Sequence, residues 1–231
     1  NAIFQVFENE NLDKISDVVL TASGGPFLNS SKSFDKISVE EALAHPKWKM
    51  GKKISIDSAT MMNKGLEMIE AYYLFPIKKN QIDIVVHPQS IIHGIVNYRD
   101  GSSLSMMSSP DMKTPISNVL NYPNRMDINV NKVDLTKIGK LEFFAPNYEK
   151  FPALNLCKEA LAKEGNSCTI LNAANEIAVS KFLAGEIKFS RITSLVADVM
   201  AKVEFRKLKN KTYFYALLTI KKRKQYVNNR Y

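Results

Sequence analysis

The chain changes texture part-way along, and that change limits the folds open to it. Before about residue 110, short apolar runs stand between turn signals. Val18-Val19-Leu20-Thr21 and Ile82 to Val86 read as short buried strands. Ile91 to Tyr98 and Ser103 to Met107 flank Asp100-Gly101, a strong hairpin signal. After about residue 147 the apolar residues recur at helical spacing, over about 153–163, 168–183 and 191–204. Gly165 and Gly185 close the first two segments, as glycine does just past a helix end. Between the two regions Pro110, Pro115, Pro123 and Pro146 punctuate a connecting stretch. The pattern predicts an α/β (α+β) domain over 1–125, a linker over 126–146 and a helical-bundle domain over 147–231.

Composition excludes several classes. With 231 residues, 45% apolar and 24% charged, the chain can bury a core in one or two domains. No apolar run approaches the roughly 20 residues that span a bilayer, and no signal-peptide pattern opens the chain, so no membrane partner is expected. The net charge is +9, with much of the excess in Lys207, Lys209, Lys211, Lys221, Lys222, Arg223 and Lys224. No nucleic-acid-binding motif accompanies this run, which reads as a solvated face rather than a nucleic-acid surface. Cys157 and Cys168 fall on expected helices without metal-ligand spacing and read as free thiols in a reducing compartment. Asn1 stands where a Met would start a chain, with apolar Ile3 and Phe4 close behind, so the natural N-terminus is expected upstream.

The polar residues concentrate around one expected helix. Residues 1–8 read as a helix end, and Ser38 caps a short helix that His45-Pro46 ends. Lys52 to Asp57 alternates polar and apolar, as a half-buried strand does. A helix is expected from Ser58 to Phe75, with Met62, Leu66, Ile69 and Tyr73 as its apolar stripe. Asn63, Glu67 and Glu70 then lie within about 60° of one another, with Lys64 beside them. Ser58 at the helix start, Lys64 and Asn63 suit an anion, and Glu67 is a hard oxygen ligand for Mg²⁺ or Mn²⁺. A plain Lys64–Glu67 surface pair would account for the same residues. Gly65 inside the helix costs about 1 kcal/mol against Ala, which close packing or ligand approach would explain.

Other residues carry two readings each. Ser23-Gly24-Gly25 is a second anion-binding candidate or an ordinary turn. His87 is read as a strand-end cap, and His93 as a satisfied core histidine or a site residue. Trp48, in a loop between His45 and Gly51, is read as an exposed lid or as packing.

Several stretches together resemble the 1-deoxy-D-xylulose 5-phosphate reductoisomerase family. They are ASGGPF at 22–27, HPKWKMGKKISIDSATMMNKGLE at 45–67, HPQSIIH at 87–93, SPDMKTPI at 109–116 and LNAANEIAV at 171–179. The resemblance spans roughly residues 1–200, and the 45–67 stretch is its most specific part. It implies that Ser23, Ser58, Asn63 and Lys64 hold a substrate phosphate. His45 would lie by the substrate, and His93 would line the pocket. Trp48 and Met112 would belong to the lid, Gly51 would approach NADPH, and Glu67 would be one of three carboxylate ligands of Mn²⁺ or Mg²⁺. His45, Lys64, Glu67 and His93 form the implied catalytic set.

The implied reaction isomerises the ketose phosphate and reduces the product with NADPH, giving 2-C-methyl-D-erythritol 4-phosphate in non-mevalonate isoprenoid synthesis. A homodimer, in a bacterial cytoplasm or a plastid, is implied as well. The family also has an N-terminal NADPH-binding domain and an Asp-Ser-Glu-His segment that these residues lack, so a fragment inactive by itself is expected. Resemblance is expected to fade after about Val203, where Thr212 to Ile220 is β-rich. The alternative is a non-catalytic remnant that binds a phosphosugar or dimerises. An unrelated metal-dependent isomerase is opposed by the 45–67 stretch.

Overall fold

A computed structural model describes residues 1–48 and 50–207. The β-rich stretch expected at 212–220 and the basic residues after Lys207 lie outside the described residues.

Four strands form one mixed sheet in the order β2-β1-β3-β4. They are β1 (Ile15–Ala22), β2 (Ile82–Val86), β3 (Ile92–Tyr98) and β4 (Ser103–Met107). β1 runs parallel to β2 and antiparallel to β3, and β4 completes the expected hairpin with β3. Ile15, Val18, Leu20 and Ala22 of β1 are buried, as are Ile92, Val96 and Tyr98 of β3. This is the period-two burial of a sheet with one covered face.

Beyond β2, His87 is fully buried. Its Nε2 accepts from the Ile91 amide at 3.1 Å, so Nδ1 carries the proton and donates to the Glu142 carbonyl at 2.9 Å. The ring stacks on Phe143 with centroids 4.6 Å apart. His87 is thus a strand-end clamp.

By internal contacts the chain forms two compact units, each of two stretches. One holds Asn1–Gly24 and Ala71–Pro146; the other holds Gly25–Glu70 and the described residues from Asn147 on. This interleaving differs from a consecutive 1–125, 126–146, 147–231 division. The sheet belongs to the first unit, together with α4 (Lys113–Asn121) and α5 (Leu135–Ile138). Both helices fall in the stretch read as connecting. Pro115 stands in the first turn of α4, where a missing N–H costs nothing, and Asp134 caps α5 by accepting from the Thr136 and Lys137 amides.

The second unit contains α1 (Val39–Leu43), α2 (Lys52–Ala59), most of α3 (Met62–Leu74), α6 (Ala153–Lys163), α7 (Ser167–Leu183) and α8 (Phe189–Lys202). The last three lie where the helical spacing placed them. Ser38 caps α1 in a full capping box with Glu41. Phe27, Phe34, Phe151, Phe182 and Phe189 form an aromatic cluster in this unit. Phe189 sits edge-on to Phe34 at 5.2 Å and to Phe27 at 5.3 Å.

Three local expectations are corrected. The segment read as a strand at 52–57 is helix α2. Its buried residues are Ser55, Ile56, Asp57 and Ala59, while Ile54 is exposed. Three consecutive buried residues at 55–57 do not fit a two-residue period, and helical spacing also brings Lys53 to Asp57 at i, i+4. The helix expected from Ser58 begins at Met62, with Thr60-Met61 as an elbow. On α3 the buried residues are Met62, Gly65, Met68, Ile69 and Ala71, and Tyr73 is exposed. The N-terminal segment is a short 3-10 turn at Ile3–Gln5.

Candidate active site

Three of the residues picked out by helix geometry, Asn63, Lys64 and Glu67, meet on one face of α3, while Glu70 is exposed. Asn63 Nδ2 donates to Glu67 Oε1 at 2.7 Å, and Lys64 Nζ pairs with Glu67 Oε2 at 2.5 Å. Glu67 thus gathers the amide and the ammonium on its two oxygens. The Lys64–Glu67 pair is real, but it is no free surface pair: the Lys64 side chain is only 13% exposed, against 38% for Glu67. A lysine this covered, with its charge turned toward an acceptor, is a cation held in place rather than a solvated one.

The helix start is built differently from the expectation. Ser58 lies in the last turn of α2, half-buried, so an α-helix N-terminus does not act on it. Thr60 serves α3 instead. Its hydroxyl accepts from the Met62 amide at 3.3 Å and lies 3.1 Å from the Ile56 carbonyl. Met61 then turns the chain with φ at +63°. The turn separates Ser58, at the end of α2, from Asn63 and Lys64, in the first turn of α3.

Of three glycines in this part of the chain, two have a steric reason. A Cβ on Gly65 would stand 2.4 Å from Cys157 Sγ, so close packing of α3 on α6 accounts for it and ligand approach is not needed. A Cβ on Gly25 would stand 2.7 Å from the Ser58 carbonyl, and its φ is +65°. Gly51 has neither reason: its φ is −62° and a Cβ there would meet nothing within 4 Å. It caps α2 beside open space.

His45 ends the α1 segment, and its Nδ1 accepts from the backbone amides of Lys47 and Trp48 at 3.1 and 2.9 Å. Two donors on Nδ1 leave Nε2 as the protonated nitrogen. Burial holds the His45 pKa below its ordinary 6.5, which also favours the neutral ring. Trp48 is half-buried rather than a fully exposed loop residue. Ser23, His93 and Met112 belong to the sheet unit. Ser23 follows β1 and is half-buried. His93 is half-buried on β3 rather than in the core, with Nε2 3.1 Å from the Ser108 carbonyl. Met112 is 56% exposed at the start of α4.

Two polar residues escaped the sequence reading. Asp57 and Asn175 are 1% and 0% exposed, and Asn175 Nδ2 donates to Asp57 Oδ1 at 2.8 Å. Two asparagines in the interior of a helix, at Asn172 and Asn175, were the available signal, since asparagine is a weak helix former. Desolvation raises the Asp57 pKa by more than Lys53 and Asn175 lower it. Among the described residues no three His, Cys, Asp or Glu stand together to hold a metal ion. Glu67 therefore fits a single ligand position, and these residues do not by themselves make a metal site.

Residues 107–225 match the family model for the DXP reductoisomerase C-terminal domain, and residues 1–75 match a second, the 1-deoxy-D-xylulose 5-phosphate reductoisomerase C-terminal domain. The chain belongs to the 1-deoxy-D-xylulose 5-phosphate reductoisomerase family. The first of these matches runs past Val203. The reductoisomerase of Sulfurihydrogenibium sp. (strain YO3AOP1) is 49% identical over 209 residues, covering 90% of this chain and 56% of the relative. That of Nitrosomonas eutropha is 50% identical over 210 residues, covering 88% and 51%. The chain spans about half the length of the curated relatives it matches. The crystal structure of the Zymomonas mobilis reductoisomerase with NADPH superposes with a TM-score of 0.90 at 41% identity, over 99% of this chain and 58% of that one. A reductoisomerase complex with NADPH, fosmidomycin and magnesium gives 0.93 at 41% identity, over 99% and 60%.

Proposed function

We propose that this chain is the substrate-gripping part of an enzyme that converts 1-deoxy-D-xylulose 5-phosphate to 2-C-methyl-D-erythritol 4-phosphate. NADPH would supply the hydride, and Mn²⁺ or Mg²⁺ would polarise the substrate's oxygens. The observation that carries this reading is the cluster of Asn63, Lys64 and Glu67 on α3, with Lys64 largely covered. Membership of the reductoisomerase family supports it, as do the solved relatives, whose complexes contain NADPH, fosmidomycin and magnesium.

The residues divide the task by chemistry. Lys64 offers a point charge to the phosphate, and Asn63 and Ser58 offer directed hydrogen bonds. Ser23 is proposed as a further phosphate donor. A phosphate would compete with Glu67 for the Asn63 and Lys64 donors, and to the extent that it wins, the carboxylate becomes suited to one position on a cation. His45 presents a neutral Nε2–H toward a substrate oxygen, and His93 lines the pocket. Trp48 and Met112 are proposed to close over the ligand, and the open space at Gly51 suits the approach of a flat nicotinamide ring. Phosphate binding away from the reacting carbons would orient the substrate and drive that closure. A homodimer and a cytoplasmic or plastid location complete the proposal. The 231 residues alone are expected to bind phosphate without turning over.

Titration of the chain with inorganic phosphate tests the grip. Lys64→Ala is expected to weaken binding by about tenfold or more, the size of a lost charge-assisted hydrogen bond. Glu67→Gln is expected to tighten it, because the competing carboxylate is gone. Unchanged affinity in Lys64→Ala sinks the phosphate role. Normal NADPH oxidation by the isolated chain with the ketose phosphate sinks the expectation that it is incomplete.

A further inference from the structure

Asp57 directly precedes Ser58 and is the most deeply buried carboxylate identified in the second unit, at 1% exposure. Its Oδ1 accepts from Asn175 of α7 at 2.8 Å, and its Oδ2 pairs with Lys53 on its own helix. Its backbone carbonyl lies 3.2 Å from the Thr60 hydroxyl, the group that accepts the first amide of α3. Asp57 anchors the elbow to α7 by its side chain, while its carbonyl shares the single Thr60 hydroxyl proton with that of Ile56. Gly25 passes against the Ser58 carbonyl.

Packing alone gives no reason for this pair. Asn175 is fully buried in mid-helix, and its Oδ1 has no hydrogen-bond partner. A leucine of similar volume would bury apolar area and leave no orphaned oxygen. The amide carries that cost only for what its other end does, which is to hold Asp57. The charges around Asp57 are mixed: Lys53 favours its ionised form, and Glu176, the next residue on α7, opposes it.

We propose that Asp57 and Asn175 are positioning residues for the phosphate site: their buried hydrogen bond fixes the α2–α3 elbow and thereby sets Ser58 against Asn63 and Lys64. This inference rests on the phosphate reading above, and two readouts on the full chain keep the two apart. Amide hydrogen exchange over residues 58–64 reports the elbow, and inorganic phosphate affinity reports the site. Exchange over 58–64 is read against that of core amides in α7 and α8, because a general loss of stability speeds both while a loosened elbow speeds 58–64 alone.

N175D places a second carboxylate beside Asp57, and N175L removes the donor while keeping volume. Each is expected to speed exchange over 58–64 and to weaken phosphate binding by about tenfold, as for the loss of a hydrogen bond to a charged group. The swapped double variant D57N/N175D restores one amide–carboxylate bond with the roles reversed, and is expected to bring both readouts back within about threefold of the wild type. If N175D does not fold, N175L and the double variant still decide. Unchanged exchange over 58–64 in folded N175L overturns this inference alone. Faster exchange with unchanged phosphate affinity overturns it as well. Absence of phosphate binding by the wild type overturns the phosphate reading and this inference with it.

Discussion

Glu67 shows how one carboxylate can serve two neighbours. Three and four residues separate it from Lys64 and Asn63, and helical spacing alone puts them together. That cluster was legible because it depends on a single element. Asp57 was not, because its partner Asn175 lies 118 residues away and no local pattern announces the pair. His45 lies between these cases: its turn is local, but its burial is not. It also makes a prediction with a definite sign. The folded pKa lies below 6.5, so as pH falls from 7 the unfolded chain takes up the proton first. The native state therefore loses stability as pH drops from about 6.5 through the folded value. His45→Asn retains an acceptor for the Lys47 and Trp48 amides but cannot titrate. Urea unfolding of both proteins at pH 7 and pH 5 is expected to show the wild type losing more stability; a loss as large in the variant would refute this assignment.

Between α3 and α6 the decisive contact is a missing side chain. Gly65 lets Cys157 approach, and Cys157 is fully buried with its thiol pushed far up the pH scale and kept neutral. Gly65→Ala gains about 1 kcal/mol of helix propensity. It also forces a methyl against sulfur, and such overpacking costs about 1–3 kcal/mol, more when backbone must move. With Cβ and Sγ only 2.4 Å apart, the clash is expected to prevail and the variant to lose about 2 kcal/mol. Adding Cys157→Ala should recover only part of that loss in a double-mutant cycle, since the Cβ at 157 still stands 2.8 Å away, and a Gly65→Ala protein at least as stable as the wild type would show that α3 and α6 are less closely packed. The sequence exposed the glycine as an oddity but could not choose between packing and ligand. Elements read from period and caps, such as β2, the β3–β4 hairpin and α6 to α8, fell in place. The segment 52–57 did not, because Ser55 and Asp57 turn inward, Asp57 to Asn175 of α7, while Ile54 turns out.

At the scale of the whole chain, the change of texture near residue 110 located the sheet and the late helices, yet it could not show how the chain is partitioned. Texture reads along the sequence, whereas the compact units take alternating stretches of it. Residues 71–146 return to the sheet begun by 1–24, so β1 pairs with β2 only after α1 to α3 have been laid down. Such non-local pairing raises contact order and slows folding. It also imposes an order of events during synthesis. By residue 146 the sheet unit is complete, while residues 25–70, which carry Asn63, Lys64 and Glu67, still wait for α6 and α7. A nascent chain stopped at residue 146 is therefore expected to protect 82–107 from protease and to leave 25–70 open to cleavage, and equal protection of both would contradict this order. On the ribosome, the stretch bearing the substrate grip is made before the helices it folds against, and it is the segment that a chaperone would cover in the interval.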